Sequence, residues 1–522
     1  MSWRNRMIPI HELVREHVDS MPNKVAIIYN DQKITYKELN CWSDRVAGYL
    51  SNCGLKKGDS VAIYMQNCPQ FIISYLAIQK IGGIVGPCSP MFKEWELEYE
   101  LNDLQAKVIL TTDDLLPIVR KVVAKLELQI ILTTNVDNLY TGNELEENEV
   151  NLTNIIHGEE ISYTSVPIDM ENDIGLIVYT SGSTGLPKGA MLTFQNAYYK
   201  SYMMAKVRKY KKEDVTLAVM PLCHIAGMLG MNTALLSGST IVLFNRFSPQ
   251  LILEAIEKYK ITVMQTVVPM NVQMMNHPLF TEVDFSSLRM NGCTSFGIPL
   301  SEEIINKWEN ITKSPLFESA YGLSETHTAD AVMGPDEIKF GTTGKPIPDT
   351  KIKIISTDTR EEVANNEEGE IVIKSPGVFK GYKNKLKETD EAFWDGWLLT
   401  GDIGKLDEEG YLYFLGRKKE LIKCSGYSVF PEEVESMLNK HPEVFESAVI
   451  GVDDRTRGQA VKAFIVLKDA TKMIDKDEMI SWCKEKMAAY KYPRHIEFLK
   501  ELPKSGTGKI IRRRLIKEEN LS

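Results

Sequence analysis

The chain has few of the features that mark membrane, secreted or metal-cluster proteins. No stretch approaches the roughly 18 consecutive apolar residues of a membrane-spanning helix, so we expect no stable insertion into a membrane. The eight cysteines are scattered along the 522 residues without a Cys-x-x-Cys pair, which argues against a disulfide framework or a zinc site. The start is charged and lacks the apolar segment of a signal peptide, and the end is not a peroxisomal address. We therefore expect a cytoplasmic protein.

Charge of one sign does not dominate the chain either. The net charge is −10, from 61 Lys plus Arg against 71 Asp plus Glu. Basic residues are denser near the C-terminus, but acidic residues are interleaved with them and no aromatic cluster accompanies them, so nucleic acid is not an expected partner. A small polyphosphate ligand fits this pattern better. The length exceeds that of a single hydrophobic core and predicts two or more domains.

Strand and helix patterns alternate through most of the chain. Thr35 and Glu38 have the spacing of a capping box at the start of a helix, and Gly54 marks the end of that helix. Apolar strand patterns follow at 60–65, 82–85, 107–110, 216–219, 240–244 and 262–266. This rhythm predicts an α/β fold with doubly wound, mainly parallel sheets. We find no repeat of solenoid period.

The pattern changes twice in the last third of the chain. Glycine-rich turns separate short apolar strands between residues 351 and 415, which predicts a small antiparallel β region. A polar segment, GRKKE, follows from Gly416 to Glu420, and beyond it strands and helices alternate again. We predict a large N-terminal domain at 1–416 and a small α+β domain at 417–522.

The most informative segment is YTSGSTGLPKGA at residues 179–190. Its glycines leave no Cβ to obstruct an anion, so consecutive N–H groups can converge on phosphate oxygens. The buried-strand pattern at 174–179 places this loop at the end of a strand, where α/β sheets bind ligands. The predicted phosphate-binding residues are Thr180, Ser181, Gly182, Ser183, Thr184, Gly185 and Lys188.

Two other interpretations of this segment are weaker. An ordinary Ser/Gly/Thr linker seldom carries one proline and one lysine between apolar segments. A Walker loop requires Ser or Thr directly after the lysine, but Gly189 follows Lys188 here. A phosphate-holding loop of another class is therefore predicted.

The segment resembles the phosphate loop of the adenylate-forming superfamily, which includes acyl-CoA synthetases, luciferase-like enzymes and the adenylation domains of peptide synthetases. Further segments match that superfamily in order, from about Thr35 to Lys509. They include YGLSET at 321–326, TGD at 400–402, GRKKELIK at 416–423 and LPKSGTGK at 502–509.

The resemblance implies an ATP site with Mg²⁺. Tyr321 is expected against adenine, Ser324 at the α-phosphate and Asp402 on the ribose hydroxyls. Glu325, with Thr184, is expected to ligate the metal, a pairing that suits a hard cation also bound to phosphate oxygens. Gly322 and Arg417 complete the nucleotide contacts that the resemblance implies.

It also implies an acyl pocket. His224 corresponds to a histidine or aromatic residue at the mouth of that pocket. The segment SFGIPL at 295–300 corresponds to one that lines adenine and the acid, where small residues are usual. Gly297 keeps the expected adenine contact, whereas Phe296 and Ile298 replace small residues and predict a shortened pocket for a medium-chain, short or aryl acid.

The C-terminal matches imply a moving domain. Lys419 corresponds to the hinge residue, and Lys423, Ser425 and Gly426 lie in the segment that lines the coenzyme A channel in the superfamily. Lys509 corresponds to the lysine that bridges the carboxylate and the α-phosphate during adenylation.

Together these features predict an ATP-dependent carboxylic acid–CoA ligase that acts on a fatty acid through an acyl-adenylate. A ligase that loads a carrier protein and a luciferase-like oxygenase share these motifs and remain alternatives. A binding module without catalysis would be expected to lack Lys509, Glu325 or Asp402, and all three are present. No carrier domain follows Lys509, which favours CoA as the thiol. The sequence leaves the oligomeric state open, a homodimer included.

Overall fold

The structure is a computed structural model. It describes residues 3–124, 126, 128, 130–135, 145–159, 161–180, 187–295, 299–424, 427–454, 457–469, 471–472, 474–505 and 509–519.

The α-helices are numbered in chain order. They are α1 (Ile10–Ser20), α2 (Tyr36–Asn52), α3 (Pro69–Lys80), α4 (Glu94–Leu104), α5 (Leu116–Val123), α6 (Leu152–His157), α7 (Phe194–Val207), α8 (Ile225–Ser237), α9 (Pro249–Tyr259), α10 (Val268–Met275), α11 (Glu302–Thr312), α12 (Leu386–Glu391), α13 (Pro431–Leu438), α14 (Lys476–Lys486) and α15 (Arg512–Glu519). Short 3₁₀ segments lie at Trp3–Arg6, Pro278–Thr281, Ser324–Thr326 and Lys418–Glu420.

The strands of the first half are β1 (Val25–Tyr29), β2 (Gln32–Thr35), β3 (Ser60–Tyr64), β4 (Ile84–Cys88), β5 (Ala106–Thr112), β6 (Ile130–Thr134), β7 (Glu149–Asn151), β8 (Ile174–Thr180), β9 (Lys188–Thr193), β10 (Val215–Ala218), β11 (Thr240–Leu243), β12 (Val263–Val267) and β13 (Met290–Thr294). Those of the second half are β14 (Leu316–Glu318), β15 (Ala320–Tyr321), β16 (Ala331–Val332), β17 (Lys345–Pro346), β18 (Lys351–Ile355), β19 (Gly369–Lys374), β20 (Phe393–Trp394), β21 (Trp397–Leu406), β22 (Leu412–Arg417), β23 (Ile422–Cys424), β24 (Tyr427–Val429), β25 (Val444–Asp454), β26 (Gly458–Leu467) and β27 (His495–Phe498).

Two seven-stranded sheets form the framework. Their strand orders are β7-β6-β5-β3-β4-β8-β9 and β14-β13-β12-β10-β11-β1-β2. Both are parallel except at one edge, where β9 runs antiparallel to β8 and β2 runs antiparallel to β1. The predicted doubly wound α/β architecture is confirmed. Because β9 runs antiparallel to β8, the chain reverses its direction between these two strands, where the phosphate-loop segment lies.

Helices lie between these sheets and on their outer faces. Every residue of α3 is buried, and its side chains share one core cluster with α2, α8 and strands of both sheets. A helix that has no side facing solvent is enclosed by other elements. A second cluster contains α9, α10 and α11 against β10, β11 and β12, and a third contains α4 and α5 against β3 and β5. The order of layers is therefore helix, sheet, helix, sheet, helix.

Smaller sheets follow in the second half. Strands β15, β16 and β17 form one, and β18, β19, β21, β20 and β22 form the antiparallel sheet predicted for 351–415. Strands β23 to β27 form the last sheet, which has its own core with α13 and α14.

Local signals in the sequence act as expected at α2. The Thr35 side chain accepts a hydrogen bond from the Glu38 N–H, the Glu38 carboxylate accepts one from the Thr35 N–H, and the helix ends at Asn52, shortly before Gly54. These bonds satisfy backbone donors that the first helical turn would leave unpaired.

All eight cysteines are free thiols, and five of them are buried. Within the described ranges, no helix combines the length and apolar character needed to cross a membrane.

Candidate active site

The phosphate-loop segment joins two antiparallel strands. In β8 and β9, Thr180 lies opposite Lys188, so both ends of the loop meet at one hairpin. The Tyr99 hydroxyl donates to the Pro187 carbonyl (2.8 Å) and ties the loop exit to α4. The predicted strand at 174–179 is therefore confirmed as β8. The predicted ligands Ser181, Gly182, Ser183, Thr184 and Gly185 lie outside the described residues.

A buried ion pair supports the turn that follows Tyr321. Lys200 and Asp330 are both buried, with Nζ 2.6 Å from Oδ1, and the Asp330 N–H donates to the Tyr321 carbonyl (2.7 Å). The Thr326 hydroxyl donates to the same aspartate. These bonds hold the segment that carries Tyr321, Gly322, Ser324 and Glu325 against α7.

Asp402 lies at the centre of the predicted ribose site and is only 2 % exposed. The Tyr321 hydroxyl donates to its Oδ2 (2.8 Å), and Arg417, its register partner on β22, places Nε 3.0 Å from its Oδ1. Burial raises the pKa of Asp402, and the Arg417 charge opposes that rise. Within the described ranges Oδ1 receives no hydrogen bond. It is a buried acceptor, as a ribose hydroxyl would require.

The ring of Tyr321 is stacked on Phe414, with ring centroids 5.9 Å apart. Phe414 is 38 % exposed although it is a large apolar side chain. The pair therefore presents an aromatic wall beside Asp402, and sequence reasoning had named only Tyr321.

His224 is the residue directly before α8. Its Nδ1 accepts from the Ala226 N–H (3.3 Å), so the side chain caps the helix. The turn before it is tight, because a Cβ on Gly227 would lie 2.1 Å from the Pro221 carbonyl oxygen. Burial lowers the pKa of His224, and the positive charge of Lys509 lowers it further. The imidazole is therefore neutral at pH 7.

Lys509 approaches this site from the C-terminal part of the chain. Its side chain keeps contact with solvent, yet the surrounding protein desolvates the ammonium enough to lower its pKa, and Arg417 lowers it further. Its backbone is held by Ser505, whose N–H donates to the Lys509 carbonyl (2.7 Å). Direct contacts join Asp402 with Arg417 and Tyr321, and the charges of Arg417 and Asp402 influence the pKa of Lys509 in the C-terminal segment.

The predicted hinge lies beside the ribose site. Lys419 is in the 3₁₀ segment that directly follows Arg417, and its neighbour Lys418 donates to Glu370 Oε2 (2.7 Å). Arg512, at the start of α15, forms ion pairs with Glu420 and with Glu435 (2.7 Å). The residues that follow Lys509 are thus fastened to the segment that follows the hinge.

Several predicted residues cannot be placed. Phe296, Gly297, Ile298, Ser425 and Gly426 lie outside the described residues, and only the backbone of Lys423, in β23, is described. Before the first gap, Ser295 donates to Glu318 Oε2 (2.6 Å), and burial raises the pKa of that carboxyl to about 7.

A cavity lies between α8 and the strands β10, β11 and β12. Ala226, Gly227 and Gly230 line it from the helix, and Gln265 lines it from β12. Small residues on α8 leave this space, which opens one helical turn from His224. The sequence motif predicted a role for His224 and for none of these cavity residues.

Tyr382 is a further residue that sequence reasoning missed. Its hydroxyl donates to Glu325 Oε1 (2.7 Å), and Lys188 Nζ lies 4.2 Å from the centre of its ring. No local pattern could have revealed it, because both partners are remote in sequence and meet it only after the sheets have formed.

Comparison with known proteins identifies the family. The profile of the family described as "AMP-binding enzyme" matches residues 14–383, and that described as "AMP-binding enzyme C-terminal domain" matches residues 433–509.

Individual proteins are similar over nearly the full length. A long-chain-fatty-acid–CoA ligase of Bacillus subtilis is 37 % identical, with 98 % of this chain and 94 % of that protein covered. The enzyme of the same name from Salmonella typhimurium is 34 % identical, with 97 % and 93 % covered. A solved structure, o-succinylbenzoate CoA synthetase (MenE) of Bacillus subtilis with the acyl-adenylate intermediate OSB-AMP, has a TM-score of 0.84, 29 % identity and coverage of 97 % and 98 %.

The chain belongs to the family of AMP-binding enzymes, in the acyl-CoA synthetase branch of the adenylate-forming superfamily, and is an AMP-forming acid–thiol ligase.

Proposed function

We propose that this enzyme joins a fatty acid to coenzyme A, using MgATP to form an acyl-adenylate and releasing AMP and pyrophosphate. Its partners are then three small molecules: the acid, ATP and CoA. The observation that supports the proposal is the buried Asp402 carboxylate, which accepts from the Tyr321 hydroxyl (2.8 Å) and pairs with Arg417 (3.0 Å) beside the stacked rings of Tyr321 and Phe414.

The nucleotide contacts follow from the buried groups. Asp402 would accept hydrogen bonds from the ribose hydroxyls, one of them at the buried Oδ1 that lacks a donor in the described part of the chain. Tyr321 would pack against adenine while its hydroxyl holds Asp402 in place. Arg417 would balance the charge of that carboxylate and of the nearby phosphate.

The triphosphate would be held by the loop at 180–188 and by Ser324. Glu325 suits Mg²⁺, because a carboxylate is a hard oxygen ligand and its Oε2 accepts no hydrogen bond within the described ranges. No cluster of three metal-binding side chains occurs in those ranges, so phosphate oxygens and water would supply the other ligands, with Thr184 nearby. When bound, Mg²⁺ would neutralise phosphate charge.

In the first half-reaction a carboxylate oxygen of the acid attacks the α-phosphorus, and pyrophosphate leaves. Lys509 would bridge the attacking carboxylate and the α-phosphate, so that its positive charge offsets the negative charge that develops. The neutral His224 would orient the acid without adding a competing charge. The chain's own residues thus act by position and electrostatics.

In the second half-reaction the CoA thiol displaces AMP. We assign this step to a second arrangement in which residues 417–522 turn about Lys419 and bring Lys423, Ser425 and Gly426 towards the acyl-adenylate. Residues 1–416 would form the other domain. Separate hydrophobic cores on either side of Lys419 support this division, and one site that must exclude water twice calls for such a movement.

The acyl chain would extend from His224 into the cavity beneath α8. Its lining of Ala226, Gly227, Gly230 and Gln265 is mainly apolar, and its volume of about 20 Å³ has room for about one water molecule, so an aliphatic chain would have to widen it. The names of the curated relatives point to long-chain acids, whereas Phe296 and Ile298 led to a medium-chain prediction. Measurement with acids of increasing chain length tests this medium-chain prediction.

The decisive measurement is pyrophosphate release and thioester formation with acids of increasing chain length, with and without CoA. We expect acid-dependent pyrophosphate release and an acyl-CoA product. Acyl-AMP with no thioester for any acid would overturn the CoA ligase assignment, and dependence on a phosphopantetheinylated protein would replace CoA as the thiol. Lys509→Ala tests the proposed role of Lys509. Its matched control is Lys504→Ala, because Lys504 lies in the same loop but pairs with Glu446 (2.7 Å).

A further inference from the structure

Tyr382 connects the two charged residues that the proposed function assigns to the triphosphate and its metal. It is only 7 % exposed. Its hydroxyl donates to Glu325 Oε1 (2.7 Å), and the face of its ring lies 4.2 Å from Lys188 Nζ, within cation–π range. One side chain therefore contacts an acid and a base that belong to different elements.

The backbone around Tyr382 is fixed on two sides. Tyr382 forms an isolated antiparallel bridge with Ala190, and the Lys383 N–H donates to the Gly189 carbonyl (2.8 Å), which attaches this segment to β9. On the other side, the Phe379 N–H donates to the carbonyl of Glu325 itself (2.8 Å). Residues 379–383 thus connect the exit of the phosphate loop with the turn that carries Glu325.

The turn at Gly381 leaves no room for a larger residue. Gly381 has φ of +126°, and a Cβ there would lie 2.6 Å from Thr389 Cγ2. The Thr389 hydroxyl in turn accepts from the Tyr382 N–H (2.8 Å). The backbone from which the Tyr382 ring projects is therefore held by contacts other than those of its own side chain with Lys188 and Glu325.

Tyr382 differs from tyrosines that only fill the core. Buried tyrosine hydroxyls need a partner. Some find carboxylates, as Tyr321 does at Asp402 and Tyr179 at Asp103 (2.9 Å). The core tyrosines Tyr36 and Tyr199 donate to neutral groups, the Ser239 carbonyl (2.8 Å) and the Pro348 carbonyl (2.6 Å). Tyr382 instead donates to a side-chain carboxylate. A hydrogen bond to a charged group is both shorter and stronger than a neutral one.

We propose that Tyr382 is a positioning residue for adenylation, which holds Glu325 and Lys188 in the mutual arrangement that MgATP requires. Its hydroxyl occupies Oε1 of Glu325 and would leave Oε2 available to Mg²⁺, and its ring lies against the Lys188 ammonium. This inference rests on the proposed roles of Glu325 and Lys188. It predicts that loss of the hydroxyl and loss of the ring have separable effects.

Two variants separate the effects. Tyr382→Phe removes the hydroxyl and keeps the ring, so we expect the Mg²⁺ concentration for half-maximal pyrophosphate release to rise about tenfold, in line with a lost hydrogen bond to a charged group. Tyr382→Leu also removes the ring, and we expect a further rise of about threefold in KM for ATP. Thioester formation from supplied acyl-AMP and CoA should stay unchanged in Tyr382→Phe, since that step uses no triphosphate.

Tyr199→Phe is the matched control, because it removes a buried hydroxyl that bonds away from the site. Equal loss of both half-reactions in Tyr382→Phe would show a merely structural role and overturn the inference. An unchanged Mg²⁺ dependence in Tyr382→Phe would also overturn it, provided that Glu325→Gln shifts that dependence. If Glu325→Gln shifts nothing, the proposed metal role of Glu325 fails, and the inference fails with it. Equal KM values for ATP in the Phe and Leu variants would overturn the role of the ring.

Discussion

Asp402 shows how one side chain can be prepared for a ligand before the ligand arrives. Its two oxygens have different surroundings: Tyr321 donates to Oδ2, while Oδ1 lies beside Arg417 without a hydrogen bond in the described part of the chain. A buried acceptor without a donor costs free energy. A ribose hydroxyl would remove that cost, so part of the preference for a nucleotide is built into the folded protein.

Replacing Asp402 with Asn should weaken ATP binding more than it weakens the fold. The amide keeps the shape but loses the charge that pairs with Arg417, so we expect KM for ATP to rise about 10-fold to 100-fold. The control is Asp407→Asn, whose carboxylate pairs with Lys339 outside the site (2.7 Å). Steady-state kinetics at saturating acid would check this, and an equal effect of both variants would contradict the ribose role.

Lys509 should affect the two half-reactions unequally and should limit activity at high pH. Lys509→Ala should slow adenylation roughly 100-fold or more and leave thioester formation from supplied acyl-AMP intact. The pKa of Lys509 is lowered, and the working form is the ammonium. Activity should therefore decline as pH rises through this lowered value, earlier than for an ordinary lysine.

Lys509→Arg tests the pH prediction directly. The guanidinium stays protonated in the accessible range, so the alkaline decline of adenylation should move to higher pH even if the maximal rate falls. An unchanged alkaline limb would assign the titration to another group. Rates of pyrophosphate release from about pH 6 to pH 10 provide the measurement.

For single residues, the sequence predicted the site where the chemistry requires particular residue types in a short motif. Asp402 and Tyr321 were predicted from their motifs, and the structure brings them into direct contact. Tyr382 and Phe414 were missed, because their importance comes from contacts across sheets and not from their neighbours in the chain. Tertiary contacts of this kind leave no local signal.

Among the secondary-structure elements, α8 is the one that we assign to the proposed acyl pocket. Its first residue follows His224, its tight entry requires Gly227, and its small residues leave the cavity beneath it. One helix thus sets both the mouth and the lining of the proposed acyl pocket.

Gly230→Leu should shorten the preferred acid. A Cβ at Gly230 would already lie 3.3 Å from Gln265 Oε1, so a leucine side chain must fill the cavity. We expect kcat/KM to fall at least about tenfold for long acids, which corresponds to blocking a few methylene groups, with little change for short ones. Ser237→Leu, at the far end of α8 and outside the cavity, is the control. An unchanged chain-length profile would show that the acyl chain lies elsewhere.

Elements were easier to predict than their arrangement. The strands β3, β5, β10, β11 and β12 and the capped start of α2 follow from local periodicity and from hydrogen bonds within a few residues. The antiparallel edge β8-β9 and the burial of α3 between two sheets depend on packing partners chosen by the whole chain. Periodicity alone does not identify those partners.

For the whole molecule, the proposed two-step reaction would require residues 417–522 to move as one unit. Arg512 binds Glu420 and Glu435, so the Lys509 region and the segment after the hinge would move together. A single change of backbone angle at Lys419 could then exchange one set of catalytic residues for another.

Lys419→Pro should restrict that movement. Proline fixes φ near the value found in 3₁₀ segments, which matches the present conformation of Lys418–Glu420. We expect adenylation to persist and thioester formation from acyl-AMP to slow at least about tenfold. Lys419→Ala keeps backbone freedom and is the control. Unimpaired thioester formation in the proline variant would contradict the hinge at this position.

The burial of the cysteines bears on the fate of the activated acid. Cys223 directly precedes His224, and loss of solvent contact raises the pKa of its thiol to about 12. Burial likewise raises the pKa of Cys68 to about 12 and that of Cys88 well above its usual range. Because the thiolate and not the thiol is the nucleophile, these side chains are poor acceptors for an acyl group at neutral pH. These three thiols would therefore compete little with a thiol from solution for the proposed acyl-adenylate.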